Sequence, residues 1–114
     1  MSKVHSVDPA HYTYRVTWSP EDNEFVGTCL ELSSLSWLSA SQVDALVGVQ
    51  NVVTEVVADL VAEGEPVPEP LSERRYSGKF NVRVPSDLHR ELAIEAAEHG
   101  LSLNRLVSDR LARN

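Results

Sequence analysis

Three polar side chains of the kinds that read DNA bases stand at alternate positions near residue 80. Lys79, Asn81 and Arg83 are separated by single apolar residues. Arg and Lys hydrogen-bond guanine in the major groove, and Asn hydrogen-bonds adenine. An alternation of period two predicts a strand with one buried face and one presented face. We therefore predict that these three side chains form a base-reading face on a strand.

The sequence offers this strand no second strand to pair with. It is followed by two short helical patterns, with Ser86 and Ser102 as predicted N-caps and Gly100 between the helices. An unpaired strand leaves its backbone donors and acceptors open, and one strand with two short helices makes too small a core. We therefore predict a homodimer through residues 79–84 and the C-terminal helices, with the two strands forming a ribbon in the major groove of operator DNA.

The N-terminal part predicts an antiparallel sheet. Aromatic and β-branched residues alternate over residues 11–18, and residues 24–29 return after a turn. Residues 35–38 are a short third strand, and residues 71–77 are a candidate fourth strand. Gly27 indicates a bulge or a close approach of another element. The predicted sheet has three or four strands.

One long helix should cover this sheet. Ser41 is its predicted N-cap, Asp44 complements the dipole in its first turn, and Gly64 ends it. Its many valines cover more than one face, so a second contact with another subunit or a partner protein is expected. A dimer of dimers is therefore compatible with the pattern. Cys29 is predicted in the core, and Trp18 and Trp37 are predicted as core or interface residues.

The charge is divided unequally along the chain. The net formal charge is −7. Residues 1–70 hold two basic and eleven acidic residues and carry −9, whereas residues 71–114 hold eight basic and six acidic residues and carry +2. Such asymmetry indicates two partners of opposite charge, a basic one for the N-terminal part and DNA for the C-terminal part.

Several classes of function are disfavoured by composition. A single cysteine excludes an internal disulfide and a cysteine-based zinc cage, and the four histidines lack ligand spacing, so no metal or cofactor is expected. The early carboxylates lie in a lead, a turn and a loop rather than converging, so we do not expect an enzyme. No apolar run approaches the roughly 20 residues of a membrane span, and the N-terminus lacks a signal-peptide core. The expected location is the cytoplasm, without a membrane partner.

The C-terminal module resembles the ribbon-helix-helix repressors of the Arc/MetJ type. The resemblance lies in Pro85 after the strand, Gly100 between the helices and Ser102-Leu103-Asn104 at the start of the second helix. It implies that Lys79, Asn81 and Arg83 face the major groove. It also implies that the backbone at Ser102, Leu103 and Asn104 binds a phosphate, which agrees with the anion affinity of a capped helix N-terminus.

Residues 11–76 resemble the HicB antitoxin domain. They share its hairpin, third strand and long helix, followed by the acidic, proline-spaced run Glu63-Gly64-Glu65-Pro66-Val67-Pro68-Glu69-Pro70. The run Cys29-Leu30-Glu31-Leu32-Ser33-Ser34 departs from the family's Cys-Pro-Glu-Leu-Pro-Gly-like turn. The resemblance implies a degenerate ribonuclease H-like fold and a small basic toxin, HicA, as partner.

Two functions are compatible with these observations. The first is the antitoxin of a type II toxin–antitoxin system, which neutralises a HicA-like mRNA-cleaving toxin and represses its own operon. The second is a ribbon-helix-helix repressor whose N-terminal domain senses a ligand or oligomerises, without a toxin. The predicted organisation is α+β, with a toxin-binding domain at residues 1–70, a linker at 71–77 and a DNA-binding domain at 78–114.

Overall fold

The structure, a computed structural model, describes residues 7–113. It has an α+β fold with a three-stranded antiparallel sheet and three α-helices. The chain divides into two units, which we call unit 1 (Met1–Tyr76, described from residue 7) and unit 2 (Ser77–Asn114, described to residue 113). Unit 1 holds the sheet and the long helix, and unit 2 holds two shorter helices.

The sheet has the order β1-β2-β3, with the strands β1 (Tyr14–Ser19), β2 (Glu24–Cys29) and β3 (Ser36–Ser39). Strand β1 begins later than predicted, because Pro9–His11 forms a 3₁₀ turn instead. Asp8 caps this turn, and its carboxylate accepts a hydrogen bond from Ala10 N–H. Both strand pairs are antiparallel and keep a continuous register.

The long helix α1 spans Gln42–Ala62 and confirms the predicted helix. The Ser41 hydroxyl accepts a hydrogen bond from Asp44 N–H at 3.0 Å, which is the predicted N-cap. Gly64 follows the helix with φ of +70°, a backbone conformation that favours glycine at a helix end. The face of α1 on the sheet is fully buried at Val49 and Val53.

Gly27 marks a close approach of α1 to the sheet and not a bulge, since it pairs in register with Val16. A Cβ added to Gly27 would lie 2.5 Å from the Ala45 carbonyl oxygen and 2.9 Å from Val49 Cγ1. Only glycine lets the helix pack this tightly over the middle strand. Beside it, Cys29 is 1% exposed and belongs to the core, as predicted.

The prediction of a fourth strand over residues 71–77 is wrong. Residues Leu71–Glu73 form a 3₁₀ turn, and the rest of this stretch has no regular structure. The proline-spaced run before it cannot donate the hydrogen bonds of a ladder. It packs on unit 1 instead, where Pro70 is fully buried and the Pro68 carbonyl accepts a hydrogen bond from the Tyr12 hydroxyl at 2.7 Å.

The two tryptophans are not core residues. Trp18 is 49% exposed and Trp37 is 45% exposed. The Trp37 indole lies over Gly48, where an added Cβ would come within 2.0 Å of Trp37 Cδ1. The core of unit 1 is instead built on Tyr12, Cys29 and the valines of α1, because the helix covers the middle of the sheet and leaves both indoles half exposed.

Unit 2 contains α2 (Ser86–Glu98) and α3 (Leu103–Ala112). The predicted N-cap at Ser86 is wrong: Ser86 is already helical, and Pro85 occupies the cap position without a side-chain hydrogen bond. Proline fixes φ near the value a helix start needs, so the helix begins directly after it.

The second cap of unit 2 is confirmed. The Ser102 hydroxyl accepts a hydrogen bond from Arg105 N–H at 3.0 Å, and Gly100 between the helices has φ of +67°. The two helices are joined by an ion pair between Arg110 and Glu95.

By length and composition alone, α1 could cross a membrane: it has 21 residues, and an 18-residue window within it has a mean hydropathy of 1.5. The expectation that no apolar run approaches this length was therefore wrong. Valine-rich helices in the core of soluble proteins meet the same criterion, and α1 packs one face on the sheet. The criterion alone is weak support for a membrane span.

Candidate nucleic-acid and protein interfaces

Residues 79–85 are exposed and have no regular structure in the single chain. The apolar members of the alternating run, Phe80, Val82 and Val84, are 73%, 66% and 41% exposed. At the start of this run the Lys79 N–H donates to Ser77 Oγ at 3.0 Å. The run therefore presents apolar side chains that nothing within the described part of the chain buries.

The predicted base-reading residues Lys79, Asn81 and Arg83 all lie on this run and are exposed. Their alternation with the apolar residues would place them on one face if the run paired with a second chain. The strand and its base-reading role stay predictions, because pairing needs a second chain.

The predicted phosphate site lies at the start of α3. Ser102 caps the helix, Leu103 is half-buried and Asn104 is exposed. The N–H groups of a first helical turn have no partner within the helix, and the dipole favours an anion there. Arg105 follows and forms an ion pair with Asp109 at 3.4 Å. The geometry is compatible with phosphate binding, which also stays a prediction.

Unit 2 buries little apolar surface by itself. Its fully described helices have one buried residue each, Ala96 on α2 and Leu106 on α3. The larger apolar residues remain open, with Ile94 52% and Leu111 66% exposed. So small a core rarely stabilises a fold without a further partner.

Glu31 has a structural role that the sequence did not reveal. Its carboxylate accepts hydrogen bonds from Thr13 N–H at 2.9 Å, from Thr13 Oγ1 at 3.1 Å and from Leu71 N–H at 2.9 Å. Partial burial would raise the pKa of Glu31, but the hydrogen bonds from Leu71 and Thr13 outweigh it and lower the pKa below its usual value. Glu31 thus ties the start of the sheet to the segment that follows α1 within unit 1, residues 63–76, which we call the connector. A carboxylate next to a strand end was the only available signal, and it is a common one.

Other titratable groups of unit 1 have structural roles as well. Burial raises the pKa of Tyr14 to about 12, and its hydroxyl donates to the Pro9 carbonyl at 2.7 Å. Burial also raises the pKa of the Cys29 thiol. Within residues 7–113, no three His, Cys, Asp or Glu side chains are grouped as metal ligands would be. His11 Nδ1 instead lies 2.5 Å from Oε2 of Glu73, and Glu73 is part of the connector.

The structure thus defines a two-unit α+β protein whose acidic, sheet-bearing unit is followed by a small helical unit with open apolar surface. The sequence model of the HicB family matches residues 62–111, and this match supports a HicB-type protein. The match is consistent with the role of an antitoxin in a toxin–antitoxin system. It suggests, in general terms, a HicA-type toxin as the partner. Searches of curated proteins and of solved structures found no significant match.

The position of the family match differs from that of the sequence resemblance. The match begins at the end of α1 and covers the connector, α2 and most of α3. It overlaps the stretch in which the HicB resemblance was noted, residues 11–76, only over residues 62–76. The proline-spaced connector is the part that both have in common.

Proposed function

We propose that this protein is the antitoxin of a type II toxin–antitoxin system, acting in the cytoplasm without catalysis of its own. Unit 1 neutralises a basic, HicA-like mRNA-cleaving toxin by covering its RNA-binding surface. Unit 2 dimerises in the manner of a ribbon-helix-helix repressor and represses the operon by binding operator DNA. The observation that carries the proposal is the HicB family match at residues 62–111.

The charge distribution supports the toxin-binding half of the proposal. Residues 1–70 carry a formal charge of −9. An RNA-cleaving protein needs a basic surface for its substrate, and an acidic protein surface competes for the same surface. Inhibition by steric cover and opposite charge requires no reaction on the antitoxin.

The exposed alternating run supports the DNA-binding half. Pairing of residues 79–84 between two chains would bury Phe80, Val82 and Val84 on one side of a ribbon. The other side would then carry Lys79, Asn81 and Arg83 toward the bases. The first turn of α3 would fix the register on the DNA backbone through a phosphate.

The DNA half is tested by gel shifts on the operon's own promoter region. We expect Asn81→Ala and Arg83→Ala each to weaken specific binding by about tenfold or more, because a bidentate base contact is worth roughly 1–3 kcal/mol. Arg15→Ala, which removes the same charge from an exposed site on unit 1, should leave DNA binding unchanged. Undiminished specific binding by both variants would show that this run does not read bases.

The toxin half is tested by co-purification with the product of the neighbouring gene. A stoichiometric complex with a short, basic, RNA-cleaving protein supports the proposal. If this protein is absent and DNA binding persists, the protein is the repressor with a ligand-sensing or oligomerising N-terminal domain. Metal-dependent RNA cleavage by the pure chain would contradict both functions.

A further inference from the structure

An exposed aromatic and apolar surface lies on unit 1 at the end of the sheet where α1 begins. Trp18 is 49% exposed and meets Phe25 edge to face, with ring centroids 5.0 Å apart. On α1, Val43 is 70% and Val47 is 47% exposed. We call these four residues the Trp18 patch.

The helix face of the patch is oriented by its neighbours along α1. Val43 and Val47 share a face with Gln50 and Thr54, at spacings of four, three and four residues. Gln50 and Thr54 line a cleft together with Tyr14 of β1. This face of α1 therefore lies on the β1 side of the sheet.

The direction of α1 brings the two parts of the patch to the same end. The later turns of α1, at Val53 and Val57, belong to the core cluster against which Tyr14 packs. Tyr14 and Trp18 are at opposite ends of β1 and, four residues apart, on the same face of it. The first turns of α1 therefore lie toward Trp18.

The charges around the patch have one sign. Glu21 and Asp22 follow Trp18 in the β1–β2 turn, and Asp44 follows Val43 in the first turn of α1. Residues 16–73 contain no Lys or Arg at all. Arg15 alternates with Trp18 along β1 and so belongs to the opposite face of the sheet.

We infer that the Trp18 patch with this acidic rim is the surface on which the basic toxin docks, an inference that rests on the proposed function. Apolar centres with a charged rim are typical of protein interfaces, and exposed tryptophans are the residues most often decisive for affinity. The charge decides between occupants: a second copy would bring three like charges against the rim, whereas a basic protein would neutralise them.

The test compares variants of the full-length chain in complex with the co-expressed, catalytically inactivated product of the neighbouring gene. We expect Trp18→Ala to weaken the complex by about tenfold or more, as loss of a central aromatic residue does. Trp37→Ala is the matched control, because this indole is equally exposed but packs over Gly48. Circular dichroism of each variant, together with retained operator binding, reports whether the fold is intact.

A second pair of variants isolates the charge. Glu21→Lys combined with Asp44→Lys, at two exposed residues of the rim, should slow association and flatten its salt dependence. Asp59→Lys combined with Glu63→Lys makes the same change in charge at the other end of α1, at two exposed residues, and should have a clearly smaller effect. Equal effects of the two pairs would mean that only the net charge of unit 1 matters, which overturns the inference.

The remaining outcomes separate the inference from the proposed function. A complex that forms as tightly with Trp18→Ala as with the unchanged chain overturns the docking surface and leaves the antitoxin function standing. A change in oligomeric mass caused by Trp18→Ala without the toxin would make the patch an interface between copies of this chain. If no basic protein binds, both proposals fail.

Discussion

The carboxylate of Glu31 offers the sharpest test of how unit 1 is held together. Three hydrogen bonds converge on it, two from Thr13 and one from Leu71, which lies forty residues later in the chain. Glu31→Ala would leave two backbone N–H groups without their acceptor. In partly buried positions each such loss costs about 1 kcal/mol, and the lost hydroxyl bond adds somewhat less. We therefore expect the free energy of unfolding of unit 1 to fall by about 2–3 kcal/mol.

Denaturation by urea, followed by tryptophan fluorescence, measures this loss for unit 1 alone, because both tryptophans lie in unit 1. Glu31→Gln, which keeps one acceptor oxygen, should lose about half as much. Glu69→Ala removes an exposed carboxylate from the same connector and should change the free energy by less than about 0.5 kcal/mol. Hydrogen exchange at the Leu71 amide should accelerate in Glu31→Ala, since that N–H loses its acceptor.

The pKa of Glu31 predicts the pH dependence of this effect. Since the folded state holds the pKa below the usual 4.5, the unfolded chain takes up the proton first. The contribution is complete above about pH 4.5 and is lost as the pH falls through the folded pKa. The difference in stability between the unchanged chain and Glu31→Gln should therefore shrink in acid. Equal stabilities at pH 7, or a difference that grows in acid, would refute the role of the charged carboxylate.

Two further predictions concern the core of unit 1. Gly27→Ala should destabilise unit 1 by more than about 2 kcal/mol in the same urea titration, because the new Cβ would meet the backbone at Ala45. Gly48→Ala should destabilise it less, since the Trp37 indole can move away into solvent. A Gly27→Ala variant as stable as the unchanged chain would show that the helix does not pack so closely. The Cys29 thiol, buried and with a raised pKa, should react with a thiol reagent at pH 8 only in denaturant, and rapid labelling of the folded chain would contradict its burial.

Elements with a strong local pattern were predicted well. Strand β2 has the bounds predicted from its sequence, and α1 begins after the Ser41 cap and ends before Gly64. In these places the residue pattern and the local hydrogen bonds favour the same structure, so the structure does not depend on distant contacts. The close packing at Gly27 was one of the two readings that its position in a strand allowed.

Features decided by distant contacts were missed or misjudged. Nothing near Glu31 in the sequence indicates that Leu71 will donate to it, or that the proline-spaced connector will bury Pro70 in unit 1. Trp18 and Trp37 were predicted in the core or at an interface because of their type, and only the core alternative is excluded by their exposure. Their exposure depends on where α1 crosses the sheet, which no local pattern specifies.

The alternating runs of β1 and of residues 79–84 show how one pattern can lead to two results. In β1 the backbone and the apolar face both find partners within the chain, because β2 supplies the hydrogen bonds and α1 covers one face. In the second run no such element follows, and Phe80 and Val82 remain mostly exposed. Burying apolar area is favourable by roughly 25 cal/mol per Å², so an exposed run of this kind favours association. A two-fold partner would satisfy both the backbone and the apolar side chains with the same sequence, which is why the homodimer is the simplest state in which this run becomes a strand.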